Sequence, residues 1–152
     1  MNYFLLEVHE AFRPLRFEDW FGKLDKNGAK FTSNREVFTV TDLEQMVYTD
    51  VVMHPCFMVS LEFKKVVEMY QPHLPFQRII VMNQKKKVSK AYYIPILRES
   101  SLQAMQHPDA GALMKAVIKD KVHIFARLDL VESLLRRKMI GIGLKEVTDG
   151  QW

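Results

Sequence analysis

The sequence predicts an α+β fold in a single domain over residues 1–152, a mainly antiparallel sheet carrying two principal amphipathic helices. Three observations predict it. Phe63, Val66, Val67 and Tyr70 recur at the spacing of one helix face. Leu130, Val131, Leu134 and Leu135 form a second apolar helical run near the C-terminus. The remaining apolar runs are short, β-branched or aromatic and bounded by turn residues, which suits strands. A chain of 152 residues that is 48% hydrophobic and 26% charged has an ordinary globular composition. At that size about 68–70% of the unfolded surface is buried on folding.

Taken in order, residues 2–9 (NYFLLEVH) are apolar and aromatic and predict an opening strand. Residues 13–36 mix aromatics with a turn signal at Asp25-Lys26-Asn27-Gly28. They predict an irregular segment with one short helical turn over Phe17 to Phe21. Residues 36–41 (EVFTVT) predict a short strand with Phe38 and Val40 on one face, and Val51 to Val59 is apolar enough to be buried. Ser60 stands where its hydroxyl can cap the first helix, and Pro72 and Pro75 stop that helix soon after Tyr70.

Phe76 to Met82 and Val88 to Leu97 predict an antiparallel pair joined by the polar turn Asn83 to Lys87. Pro95 has no amide to give, so the second strand either lies at an edge or ends its pairing before that residue. Beyond a variable stretch through residues 107–111, Val122 to Ala126 predicts a strand. Asp129 and Glu132 then form a D-x-x-E capping pattern before the second helix. Arg136, Arg137 and Lys138 complement the negative end of that helix, Gly141 supplies a left-handed residue to close it, and Ile140, Ile142, Leu144 and Val147 support a last strand. A capped helix leading into a strand thus occurs twice, over residues 60–82 and 129–147, as an architectural echo without matched residues.

Charge is unevenly distributed within the net +4: residues 1–76 carry 8 Lys and Arg against 11 Asp and Glu, and residues 77–152 carry 14 against 7. Such a split gives an electropositive face for an acidic partner, or cancels if the halves interleave. Cys56 is the only cysteine, so no intramolecular disulfide and no cysteine-rich zinc site can form within one chain. With no signal-like leader and no apolar run long enough to span a bilayer, the expected location is cytoplasmic, with no membrane partner.

Candidate chemistry is sparse. His54 and Cys56 lie two positions apart, the start of a small Cys/His enzyme, but the surrounding VVMHPCFMV reads equally as a buried strand. His9, His73, His107 and His123 show no metal-ligand spacing, so no metal site is expected. Gly141-Ile142-Gly143 follows a helix, the reverse of the order in a phosphate-binding loop, so no nucleotide cofactor is expected either. No catalytic residue is assigned. What remains is surface: Lys85, Lys86 and Lys87 in the predicted turn, Tyr92 beside Tyr93 in the following strand, and Arg136 and Arg137 at the second helix end. These are the candidate partner-binding residues. Basic residues interleaved with aromatics also suit a nucleic-acid-binding or phage-related accessory protein.

Two stretches, PCFMVSLEFKKVVEMYQPHLPFQRIIV with the following KAYYIPIL, and VHIFARLDLVESLLRRKMIGIGLKEV, lie in that order in the chain. They resemble the two blocks of an immunity-protein family associated with bacterial polymorphic toxin systems, formerly a domain of unknown function. The matching positions are Ser60, Phe76, Ile124-Phe125 with Leu128, Glu132-Ser133, and Gly141 or Gly143. About half of the chain is covered. Two departures stand out: Lys85-Lys86-Lys87 replaces a glycine-rich turn, and the link Arg127 to Asp129 is short. The resemblance implies a cytoplasmic protein that neutralises a cognate toxin by direct contact, without catalytic residues or cofactors.

Overall fold

A computed structural model describes residues 2–30, 36–107 and 109–147. Residues 31–35 of the predicted irregular segment, Pro108 of the variable stretch and the residues after Val147 lie outside the described residues. The fold is α+β; the described residues form two α-helices and eleven strands, and every strand ladder among them is antiparallel except one.

The chain opens with β1 (Tyr3–Val8), followed by a small hairpin of β2 (Leu24–Asp25) and β3 (Gly28–Ala29). No helical turn forms over Phe17 to Phe21. Phe17 instead bridges Val40, and Phe21 bridges Leu24, because Leu15, Phe17 and Leu24 are drawn into a core under the neighbouring sheet. Next come β4 (Val37–Thr39), β5 (Val51–Val52) and β6 (Met58–Val59), with a cis His54–Pro55 bond in the turn between the last two. Helix α1 (Leu61–Tyr70) leads to β7 (Phe76–Asn83) and β8 (Val88–Pro95). A 3-10 helix (Leu102–Gln106) precedes β9 (Leu113–Ile118), β10 (Lys121–Arg127), α2 (Leu128–Arg136) and β11 (Ile142–Glu146).

Beside the β2-β3 hairpin, the described residues form two larger sheets, in the orders β4-β7-β8-β6-β5 and β11-β1-β10-β9. In each, a strand, a helix and a second strand enclose an antiparallel strand from elsewhere. Strands β6 and β7 flank β8, with α1 between them in sequence. Strands β10 and β11 flank β1, with α2 between them. The echo read from the sequence is therefore a repeated split β-α-β plan. In the second unit the enclosed strand comes from the far end of the chain.

The helices pack on each other and, together with both sheets, bury a shared core that includes Leu6, Val59, Phe63, Val67, Ile124, Leu130 and Leu134. A second core, with Phe38, Met58, Ile79, Val81, Tyr92 and Ile94, fills the other face of the five-stranded sheet. A third, with Tyr3, Met105, Met114 and Phe125, lies under the 3-10 helix. Pro95 departs from the expectation. Strand β8 lies inside the sheet between β7 and β6, and its ladder with β7 runs through to the Phe76–Pro95 pair, where the strand ends. Strand β6 meets β8 only at Val59 and Tyr93, so no further partner needs the missing amide.

Helix α1 starts as expected, with Ser60 Oγ accepting from the Phe63 amide at 3.2 Å. Helix α2 does not. Its cap is Arg127, with no side-chain capping bond, because β10 runs straight into the helix and leaves no loop in which Asp129 could stand as the cap. Asp129 lies inside the first turn, accepting from the Leu130 amide at 2.9 Å and from the Arg127 guanidinium at 2.8 and 2.9 Å. Lys138 takes the left-handed conformation that ends α2, with φ +53°, and Gly141 follows with φ +80°.

Candidate functional site

The lysine turn sits where the sequence placed it, as the exposed connection from β7 to β8. Lys87 adopts φ +54° to close it, and the Lys86 amide donates to Asn83 Oδ1 at 3.1 Å. Asp42 holds its base: Lys86 Nζ lies 3.3 Å and Lys85 Nζ 4.0 Å from the carboxylate, and Asn83 Nδ2 donates to it at 2.8 Å. That amide bond, with help from the two lysines, holds the Asp42 carboxyl below its usual range. Two of the three lysines thus share a counter-charge, which lowers their value as an anion-binding set. The adjoining cleft, about 480 Å³, is lined by Glu18, Thr39, Thr41, Asp42 and Lys85, a mixed rather than a cationic wall.

Tyr92 does not belong to this surface. Its side chain is 0% exposed, its hydroxyl donates to the Thr49 carbonyl at 2.7 Å, and burial pushes its pKa up. The reason is strand parity. Tyr92 pairs with Ile79 on the face that fills the second core, and Tyr93 points to the opposite face, where Lys64 Nζ stands 5.3 Å from its ring. The interleaving of basic and aromatic residues that suggested nucleic acid is therefore not a surface feature at Tyr92.

At the C-terminal end of α2, Leu135 is 58% exposed, and Arg136, Arg137 and Lys138 are all exposed beside it. Arg137 is braced. Its guanidinium donates to the Ser133 carbonyl at 2.9 Å and reaches the Met69 sulfur at 3.6 Å, so the ends of both helices hold one cation in place. Met69 itself is 63% exposed. Exposed apolar side chains next to a pre-positioned guanidinium are a common make-up of protein-recognition surfaces.

The Cys/His pair is not brought together. Cys56 is 2% exposed within the second core, and burial, with a contribution from Asp25, pushes its thiol up to about 12, so it stays protonated at neutral pH. His54 lies exposed outside and meets the edge of the Trp20 ring at 5.3 Å. Among the described residues no group of three or more His, Cys, Asp or Glu side chains is placed to hold a metal, and no helix is long and apolar enough to cross a membrane.

Sequence reasoning missed Asp50. This buried carboxylate accepts from the Ser60 hydroxyl and from the Ile140 amide, both at 2.5 Å, while the Asp50 amide donates to the Ile140 carbonyl. It ties the cap of α1 to the loop between α2 and β11. The only sequence signal was an acid inside the apolar run from Tyr48 to Val59.

The positions that carry the family resemblance are structural. Ser60 caps α1, Phe76 opens β7, Ile124 and Phe125 are buried in β10, and Leu128 starts α2. A Cβ on Gly141 would lie 2.3 Å from Thr49 Cγ2. Compared with known proteins, the chain matches no family model, and no curated protein is significantly similar to it.

Proposed function

We propose that this is a binding protein of immunity type, which neutralises a cognate bacterial toxin in the cytoplasm by direct contact. The observation that carries the reading is the braced Arg137 with exposed Arg136, Lys138 and Leu135 at the end of α2, a surface suited to an acidic protein face. The resemblance of the two sequence blocks supplies the class of partner.

The experiment is co-expression with each toxin gene found beside that of this protein. Wild type rescues growth and co-purifies with the toxin. Arg136→Glu with Arg137→Glu loses rescue and weakens binding at least tenfold, while the protein stays folded with its thermal midpoint lowered by only a few degrees, as the lost brace and the helix dipole require. Rescue that is unchanged by this double reversal would move the contact off α2, and failure against every neighbouring toxin would end the immunity reading.

A further inference from the structure

The two edges of the four-stranded sheet are treated differently. At β9 two of the outward groups are occupied: Gln71 Oε1 accepts from the Leu113 amide at 2.7 Å, and the Ser100 amide donates to the Lys115 carbonyl at 2.7 Å. At β11, among the described residues, no strand or side chain pairs with the outer side. The β1 ladder uses the odd-numbered residues. His9 donates to the Gly141 carbonyl and Val147 to the Tyr3 carbonyl, in register with Glu7–Gly143 and Leu5–Lys145. Ile142, Leu144 and Glu146 therefore direct their amides and carbonyls outward, as an unused template for another strand.

That template fits itself. In an antiparallel pairing centred on Leu144, the hydrogen-bonded pairs are Leu144 with Leu144 and Ile142 with Glu146 of the other copy. Lys145 then faces Gly143 in a non-hydrogen-bonded pair, where side chains come closest. Gly143 has no side chain, and the stem of Glu7 leans over it: a Cβ at 143 would lie 3.2 Å from Glu7 Cγ. The Glu7 carboxylate is consequently carried toward the sheet edge, 3.8 Å from Lys145 of its own chain. The twofold pairing sets each Lys145 beside the Glu7 of the other copy as well, giving an alternating four-charge cluster on one face. On the opposite face the half-buried Leu144 and Ile142 gain apolar cover.

We propose that β11 is a self-pairing edge, through which two copies of this chain join their four-stranded sheets into one continuous sheet. The apolar rows and the charge pattern are each self-complementary in the single register that uses all the outward backbone groups. This surface is formed by β11 and β1, apart from the arginines assigned above to toxin contact.

Sedimentation equilibrium over a wide concentration range tests it, with hydrogen exchange read at the Leu144 and Glu146 amides. The expected result is a concentration-dependent species of twice the 17.9 kDa chain mass. Its formation slows exchange at both amides. Lys145→Glu puts four carboxylates in the cluster and raises the dimer dissociation constant about tenfold or more. Adding Glu7→Lys to that variant returns the constant to near its original value. A chain that stays monomeric throughout overturns the proposal. So does a dimer in which both amides exchange as fast as in the monomer, or one indifferent to both charge changes. A monomer whose Leu144 amide becomes protected only when a toxin is added assigns the edge to that partner instead.

Discussion

At the scale of single residues, position 141 shows how a glycine can be required twice over. The backbone there has φ +80°, which a side chain resists, and the space a Cβ would enter is taken by the Thr49 methyl at 2.3 Å. Gly141→Ala is expected to cost roughly 2–4 kcal/mol in urea unfolding, the strain and the overlap adding. Thr49→Ser removes the methyl but keeps the hydroxyl that donates to the Val51 carbonyl and the β-carbon, which itself would lie 2.8 Å from the new Cβ, so in that background the cost falls only in part. An equal cost in both backgrounds would show that the methyl overlap adds nothing to the penalty. The glycine was legible in the sequence as a residue after a helix. Its contact with Thr49 was not, since nothing local links positions so far apart. Tyr92 teaches the converse: a tyrosine beside a basic turn looked like surface, and only the register of β8 decides which of two adjacent tyrosines is buried.

At the scale of elements, the helix periodicities were legible and one of the two helix starts was. Helix α1 has the serine cap its sequence signals, whereas the acidic pattern before α2 is not a capping box, because the strand leaves no room for a cap residue. Asp129 supports the helix from within its first turn. Its bond from Arg127, ahead of smaller contributions, holds its carboxyl below the ordinary aspartate value. A depressed folded-state pKa contributes stability that is present above the unfolded value of about 3.9 and is lost as pH falls through the folded one. The urea midpoints of wild type and Asp129→Asn should therefore differ most near neutral pH and converge as pH falls below about 4. A gap that persists in acid would exclude this ion pair as its source. Strand β9 escaped the sequence reading because LMKAVI is apolar without strict alternation, as a strand lined on both faces will be.

For the whole molecule, composition and pattern were enough for the α+β class, but not for the plan of two split β-α-β units, because strand order depends on contacts between distant segments. The inner strand of the second unit, β1, precedes everything it pairs with. Asp50 joins the units by accepting both from the residue that caps α1 and from the loop before β11. Asp50→Ala leaves the Ile140 amide and the Ser60 hydroxyl without their acceptor and should cost roughly 3 kcal/mol, with hydrogen exchange accelerating in both sheets together. Acceleration confined to one sheet would show that the units open independently. The position of β1 also has a consequence for synthesis. Its partners β10 and β11 begin at Lys121 and Ile142, far downstream of β1, so at roughly 5–20 residues per second the first strand waits on the order of ten seconds with both hydrogen-bonding edges bare. During that interval β1 lacks both of its neighbours, and the four-stranded sheet closes only once β10 and β11 have been made.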